Sequence, residues 1–236
     1  MEHRPSPNHG ARREGPVDIL LLHYTGMPDP EQALAWLCDP RSEVSAHYYI
    51  FEDGRVVALV PEERRAWHAG AARWGGATDI NSLSIGIELA NPGHPAGLPP
   101  FPDGQIEALI ALGRDILGRH PIPPHRVLAH SDVAPGRKHD PGERFPWPHL
   151  AAAGIGHWVE PEASTHEGDT LRSTDAVALQ QMLALYGYGI EVTGAFDRQT
   201  QDVVTAFQRH FMPARVDALA NRATLATLRK LLEALP

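Results

Sequence analysis

His23 stands in Leu22-His23-Tyr24-Thr25, directly after a run of apolar residues. His130 opens His130-Ser131-Asp132, and Asp140 closes Gly136-Arg137-Lys138-His139-Asp140. Two imidazoles and a carboxylate offered from separate loops would make a three-sided ligand set. Such a set leaves the fourth tetrahedral position of a zinc ion open, which is the arrangement of a catalytic rather than a structural site. Spacing alone does not decide it, because His23 and His130 lie 107 positions apart and only the fold could join them. Read singly, His23 is first of all a hydrogen-bonded structural residue. Glu88 ends the apolar run Ile85-Gly86-Ile87. A carboxylate there is costly if buried and unpaired, so it marks either the wet end of a strand or a general base beside a metal. Lys138 is either a surface lysine or an ammonium placed to offset a developing oxyanion.

The elements that must position these residues follow from hydrophobic period. Residues 17–22 form a short apolar run after Pro16, a buried strand candidate. Residues 47–51, the turn Glu52-Asp53-Gly54 and residues 55–60 predict a β-hairpin. Residues 83–89 and 126–129 predict two more strands, ending next to Glu88 and His130 respectively. Helical spacing appears over 30–38, 146–153 and most clearly 103–119, where Ile106, Leu109, Ile110, Leu112, Gly113, Ile116 and Leu117 make one stripe with Asp103 as the expected N-cap. Strands interleaved with helices predict an α/β domain over 17–158, a mixed central sheet flanked by helices. Residues 1–16 are read as an N-terminal extension and 159–172 as a polar linker. The remainder, 173–236, carries three helical patterns at 175–186, 197–211 and 221–235, each opening on Asp or Asn, and predicts a small all-α three-helix domain.

Composition narrows the partners. The chain has 236 residues, 42% hydrophobic and 21% charged, so it has enough material for a core without disulfides or other staples. Lys and Arg number 21 against 29 Asp and Glu, a net charge of −8 without like-charge runs, which argues against nucleic acid and anionic membranes. Cys38 is alone, so neither an internal disulfide nor a cysteine metal cage is available. No run reaches the roughly 18 apolar residues of a membrane span, and residues 1–16 do not read as a secretory leader.

Further segments fall in a fixed order: His23 in Leu-His-Tyr-Thr, Val44-Ser45-Ala46-His47-Tyr48, Asp53-Gly54, Arg65-Ala66-Trp67-His68-Ala69-Gly70, Ser84-Ile85-Gly86-Ile87-Glu88, His130-Ser131-Asp132 and Lys138-His139-Asp140-Pro141-Gly142. In this order they resemble the zinc-dependent N-acetylmuramoyl-L-alanine amidases of the AmpD/AmiD type, relatives of the peptidoglycan recognition proteins. The resemblance implies Zn2+ on His23, His130 and Asp140, with Glu88 as acid/base and Lys138 stabilising the tetrahedral intermediate. It places His68 and Trp67 along the groove for the muramoyl-peptide and leaves His47 and Tyr48 as scaffold. In some relatives a tyrosine one position before the hairpin His supplies a catalytic hydroxyl; here that position is Ala46, which shifts weight to Glu88.

A second resemblance covers about 175–232. Leu179-Gln180-Gln181-Met182-Leu183, Gly187-Tyr188, Thr193-Gly194-Ala195-Phe196-Asp197 and Ala206-Phe207-Gln208 are similar to the three-helix peptidoglycan-binding domain. The implied activity is hydrolysis of the amide between the lactyl group of N-acetylmuramic acid and L-alanine, in wall turnover or recycling, on peptidoglycan or a muropeptide. The alternative is a zinc-containing peptidoglycan receptor that does not turn over, against which the presence of both Glu88 and Lys138 argues. A zinc peptidase is disfavoured by the lack of a His-Glu-x-x-His helix. A wall-binding domain favours the cell envelope, while the lack of a visible leader leaves the cytoplasm open.

Overall fold

The computed structural model describes residues 1–13, 15–163 and 171–235. Eight strands and eight helices occur among them. In chain order these begin with β1 (Glu2–His3), β2 (His9–Ala11), β3 (Ile19–Tyr24), α1 (Pro30–Leu37), β4 (Tyr48–Ile50), β5 (Val56–Ala58) and β6 (Arg64–Ala66). There follow α2 (Ile80–Leu83), β7 (Ser84–Leu89), α3 (Asp103–Arg119), β8 (Val127–Ala129), α4 (His130–Val133) and α5 (Trp147–Ala152). The C-terminal helices are α6 (Ala176–Tyr186), α7 (Arg198–Phe211) and α8 (Arg222–Glu233). Six strands form one mixed sheet in the order β1-β5-β4-β7-β3-β8, and β2 pairs with β6 in a second, small ribbon. This is the α/β sheet with flanking helices, followed by an all-α region, that the sequence pattern predicts.

The centre of the sheet explains the apolar runs. β7, β3 and β8 lie parallel and adjacent, with Leu20 opposite both Ile85 and Val127, so β3 is covered on both faces and reads as continuous Ile-Leu-Leu-Leu. Leu20, Leu22, Ile85 and Ile87 pack toward the stripe Ile106, Leu109, Ile110 and Ile116 of α3. Each such fully buried side chain contributes about 1.5–3 kcal/mol of transfer free energy. Ile19 and Leu21 face the other way, into a core they share with Leu128, Val133, Trp74 and the C-terminal residues Leu179, Leu183, Val203 and Phe207.

The predicted hairpin is β4–β5, antiparallel with Tyr49 opposite Val57. Its turn requires glycine: Gly54 has φ +85°, and a Cβ there would stand 2.7 Å from the Gly104 carbonyl. The expected cap of α3 is corrected. Pro102 holds the N-cap position, and Asp103 is the first helical residue, where the helix dipole still favours its charge. Asp197 and Asn221 do cap α7 and α8, accepting from Thr200 and Thr224 N–H. Asp175 instead accepts from the Arg172 N–H, within the short turn before α6. Half of the linker expected over 159–172, residues 164–170, lies outside the described residues.

Residues 1–13 are more than a tail. β1 pairs parallel with β5 and β2 antiparallel with β6. Arg12 then donates to the carbonyls of Glu62, Asn81, Ser82 and Ser84 and lies 3.1 Å from His47 Nε2. No helix among the described residues is long and apolar enough to cross a membrane.

Candidate active site

His23 and Glu88 are register neighbours on β3 and β7, near the C-terminal ends of two parallel strands. His130 follows β8 on the other side of β3. Ligands of open parallel sheets gather at this edge because the loops leaving it diverge and leave a crevice. Asp140 arrives on the loop after α4 and completes the group. His23 Nδ1 stands 2.8 Å from His130 Nδ1, and each is 3.0 Å from Asp140 Oδ2. All three residues are buried.

The outer partners decide where the protons sit. Ser84 donates its hydroxyl to the Ile80 carbonyl at 2.6 Å, so His68 Nε2–H, 3.3 Å away, donates to Ser84 Oγ. His68 Nδ1 is then an acceptor for the His23 Nε2–H at 3.0 Å. His130 Nε2 faces the Ala69 carbonyl at 3.0 Å, which can only accept. With each Nε2–H so committed, the neutral form of either ring turns a bare Nδ1 toward the carboxylate oxygen. Burial, with His130 beside it, lowers His23 to about 4 against the pull of Asp140, so its ring is neutral at pH 7. Burial alone would raise Asp140, yet His130 and His23 hold it well below the usual carboxylate range. Two nitrogen lone pairs and an anionic oxygen within 3.0 Å of one another repel unless a proton or a metal cation lies among them. The donor set, neutral imidazoles and one carboxylate, suits zinc, and the outer hydrogen bonds fix the rings as metal-binding histidines require.

Glu88 lines the same cleft, and its Oε2 is buried without a hydrogen-bond partner. Burial raises this carboxyl to about 8, the Asp140 charge adds to the shift, and Lys138 opposes it. Lys138 also lines the cleft. The cleft encloses about 460 Å³. One glycine makes room for the histidine cluster: a Cβ on Gly86 would lie 2.6 Å from the His68 ring.

Thus His68, Glu88, His130, Lys138 and Asp140 line one cleft, with His23 held against His130 and Asp140. Trp67, which the resemblance placed along the groove, sits between two other segments of the chain. Its backbone is tied to Ser45 in both directions, and its indole lies by Gly10 of β2, a placement set by the β2–β6 pairing that the sequence pattern gave no sign of. Part of the cleft wall comes from residues that no motif marks. Trp36 and Val44 line it although each is more than a third exposed, as do Met27 and Tyr24. The signal available for Trp36 was an aromatic on the polar side of α1, between the buried Leu34 and Leu37.

Fold and site together define an α/β protein with a His-His-Asp group that could bind a metal beside a protonatable carboxyl, an arrangement of the hydrolase class. A sequence profile described as N-acetylmuramoyl-L-alanine amidase matches residues 13–143, and one for a peptidoglycan binding domain matches 172–228. The chain belongs to the N-acetylmuramoyl-L-alanine amidase family. It is 40% identical over 232 residues to the amidase AmiD of Escherichia coli, covering 92% of this chain and 83% of that one. The complex of E. coli AmiD with anhydro-N-acetylmuramic acid-L-Ala-D-γ-Glu-L-Lys superposes with a TM-score of 0.81 at 38% identity, over 98% of this chain and 92% of that one. AmpDh3 of Pseudomonas aeruginosa with an anhydromuramic pentapeptide gives 0.78 at 34% identity, over 98% and 95%.

Proposed function

We propose that this protein hydrolyses the amide between the lactyl group of N-acetylmuramic acid and the L-alanine of a stem peptide. The observation that carries the reading is the meeting of three buried acceptor atoms with a protonatable carboxylate on one cleft floor. Solved complexes of similar amidases with anhydromuramoyl peptides support the substrate class.

His23, His130 and Asp140 would hold Zn2+, which when bound supplies Lewis-acid polarisation of the scissile carbonyl and acidifies water. Glu88 in its ionised form takes the proton of the attacking water; its unpaired Oε2 leaves an acceptor free for that step. The same carboxyl then delivers a proton to the departing alanine nitrogen, so the lactyl carboxylic acid and a free amine result. The Lys138 ammonium offsets negative charge on the tetrahedral intermediate. His68 keeps the His23 ring in its bare-Nδ1 form through Nε2–H, and so acts on the site through a ligand. The region matching a peptidoglycan binding domain supports work on the wall at the cell envelope, where tethering raises local concentration.

Mass spectrometry of products from sacculi and from soluble anhydromuramoyl-tripeptide tests the reading. Release of stem peptides beginning in free L-Ala, abolished by a chelator and restored by zinc, is expected. The better substrate of the two separates work on the polymer from recycling of fragments. Cleavage within the stem, or zinc uptake without cleavage of either substrate, would overturn the reading.

A further inference from the structure

Asp132 lies two residues after His130, away from the cleft, and is wholly buried. Its Oδ2 accepts from the Ala129 N–H at 2.8 Å and from His210 Nδ1–H at 2.7 Å, and its Oδ1 accepts from the Tyr188 hydroxyl at 2.7 Å. Tyr188 follows α6 and His210 sits on α7, so two of the three donors come from the C-terminal region. Both are held by ring packing from the sheet domain. His210 stacks on Trp147 at 3.7 Å, and Tyr188 meets Trp74 edge-on at 4.9 Å. Gly187, at φ +134°, permits the approach, since a Cβ there would stand 2.5 Å from Trp74.

α4 is four residues long and cannot place itself by internal hydrogen bonds. It nevertheless carries His130, and the Ser131 N–H donates to the Asp140 carbonyl at 3.0 Å. Anchoring Asp132 therefore anchors two of the three residues of the proposed metal site. We infer that Tyr188 and His210 are positioning residues of that site, acting through Asp132 on His130 and Asp140. The C-terminal helices then support the catalytic geometry as well as any wall contact. This inference rests on the metal reading of His23, His130 and Asp140.

The test uses the full-length protein with Tyr188→Phe, His210→Ala and His210→Asn. Tyr186→Phe is the control: its hydroxyl bonds His157 Nδ1 at 2.8 Å on the C-terminal side of the molecule without touching Asp132. Zinc affinity is measured by competition with a chromogenic chelator, the visible spectrum of the cobalt-substituted protein reports ligand geometry, and thermal unfolding reports stability. Tyr188→Phe and His210→Ala should each weaken zinc about three- to tenfold, less than loss of a direct ligand partner, and should shift the cobalt bands. His210→Asn keeps a donor toward Asp132 and should restore most of the affinity. Tyr186→Phe should lower the melting temperature and leave affinity and spectrum alone. Unchanged affinity and spectrum in Tyr188→Phe would overturn the inference, and so would an equal loss in Tyr186→Phe. If His210→Ala does not fold, Tyr188→Phe decides alone. A wild-type chain that takes up no zinc would overturn the metal reading and the inference with it.

Discussion

Asp132 and Asp140 lie on the same short stretch of chain, both buried, each with histidine nitrogens within 3.0 Å, yet they are opposites. Asp132 is met only by donors: an amide, a phenol and an imidazole N–H. Asp140 Oδ2 is met by two imidazole nitrogens whose protons are committed elsewhere, to His68 and to the Ala69 carbonyl. The first carboxylate is satisfied by its donors as it stands; the second stands among ring nitrogens that need a proton or a metal ion between them. A histidine–aspartate contact thus says little until the far side of each ring is accounted for.

Replacing Asp140 by Ala should break the contrast most severely, abolishing zinc uptake and turnover together, as read by metal analysis and product release. Glu88→Gln should keep the metal and lose about 10²–10⁴-fold in kcat, separating proton transfer from metal binding. His68→Ala removes the acceptor that commits the His23 proton and should weaken zinc about 10–100-fold in a chelator competition. Asp132→Asn replaces an acceptor-only group by one that also brings protons to three donors. A stability loss of about 2–4 kcal/mol is expected, with the metal ligands intact in sequence. At about 2–4 °C per kcal/mol this is visible in a melting curve.

The smallest effect concerns Glu62, a second carboxylate met by donors, here Tyr48, Arg119 and His120. Burial would raise it, but these partners bring it down to about 2. A carboxyl depressed in the folded state stabilises above its unfolded pKa of about 4.5 and loses that contribution as pH falls through about 2. Glu62→Gln should therefore lower the melting temperature at pH 7, and the gap from wild type should close on titration toward pH 2.

The site residues supplied by a strand end or a compact motif were legible in the sequence. His23 and Glu88 follow apolar runs that could only be buried strands, and the order of motifs tied them to His130 and Asp140. The central strands and α3 were legible for the same reason, since period follows burial. What escaped depends on pairing between distant segments. Residues 2–3 and 9–11 are too short and polar to show a strand period, and form strands only because β5 and β6 offer edges. Trp67 shares a motif with His68 but follows a strand paired to β2, and its indole nitrogen lies beside Gly10 of β2. The Tyr188 and His210 contacts to Asp132 span 56 and 78 positions, and their pattern in sequence is that of ordinary helix core.

The most direct test of the central claim is a crystal of the zinc-loaded protein measured at the zinc absorption edge. The account predicts one anomalous peak, among His23 Nδ1, His130 Nδ1 and Asp140 Oδ2, with Glu88 and Lys138 facing it across the cleft. A zinc-loaded crystal with that position empty, or with zinc held by other side chains, would contradict it.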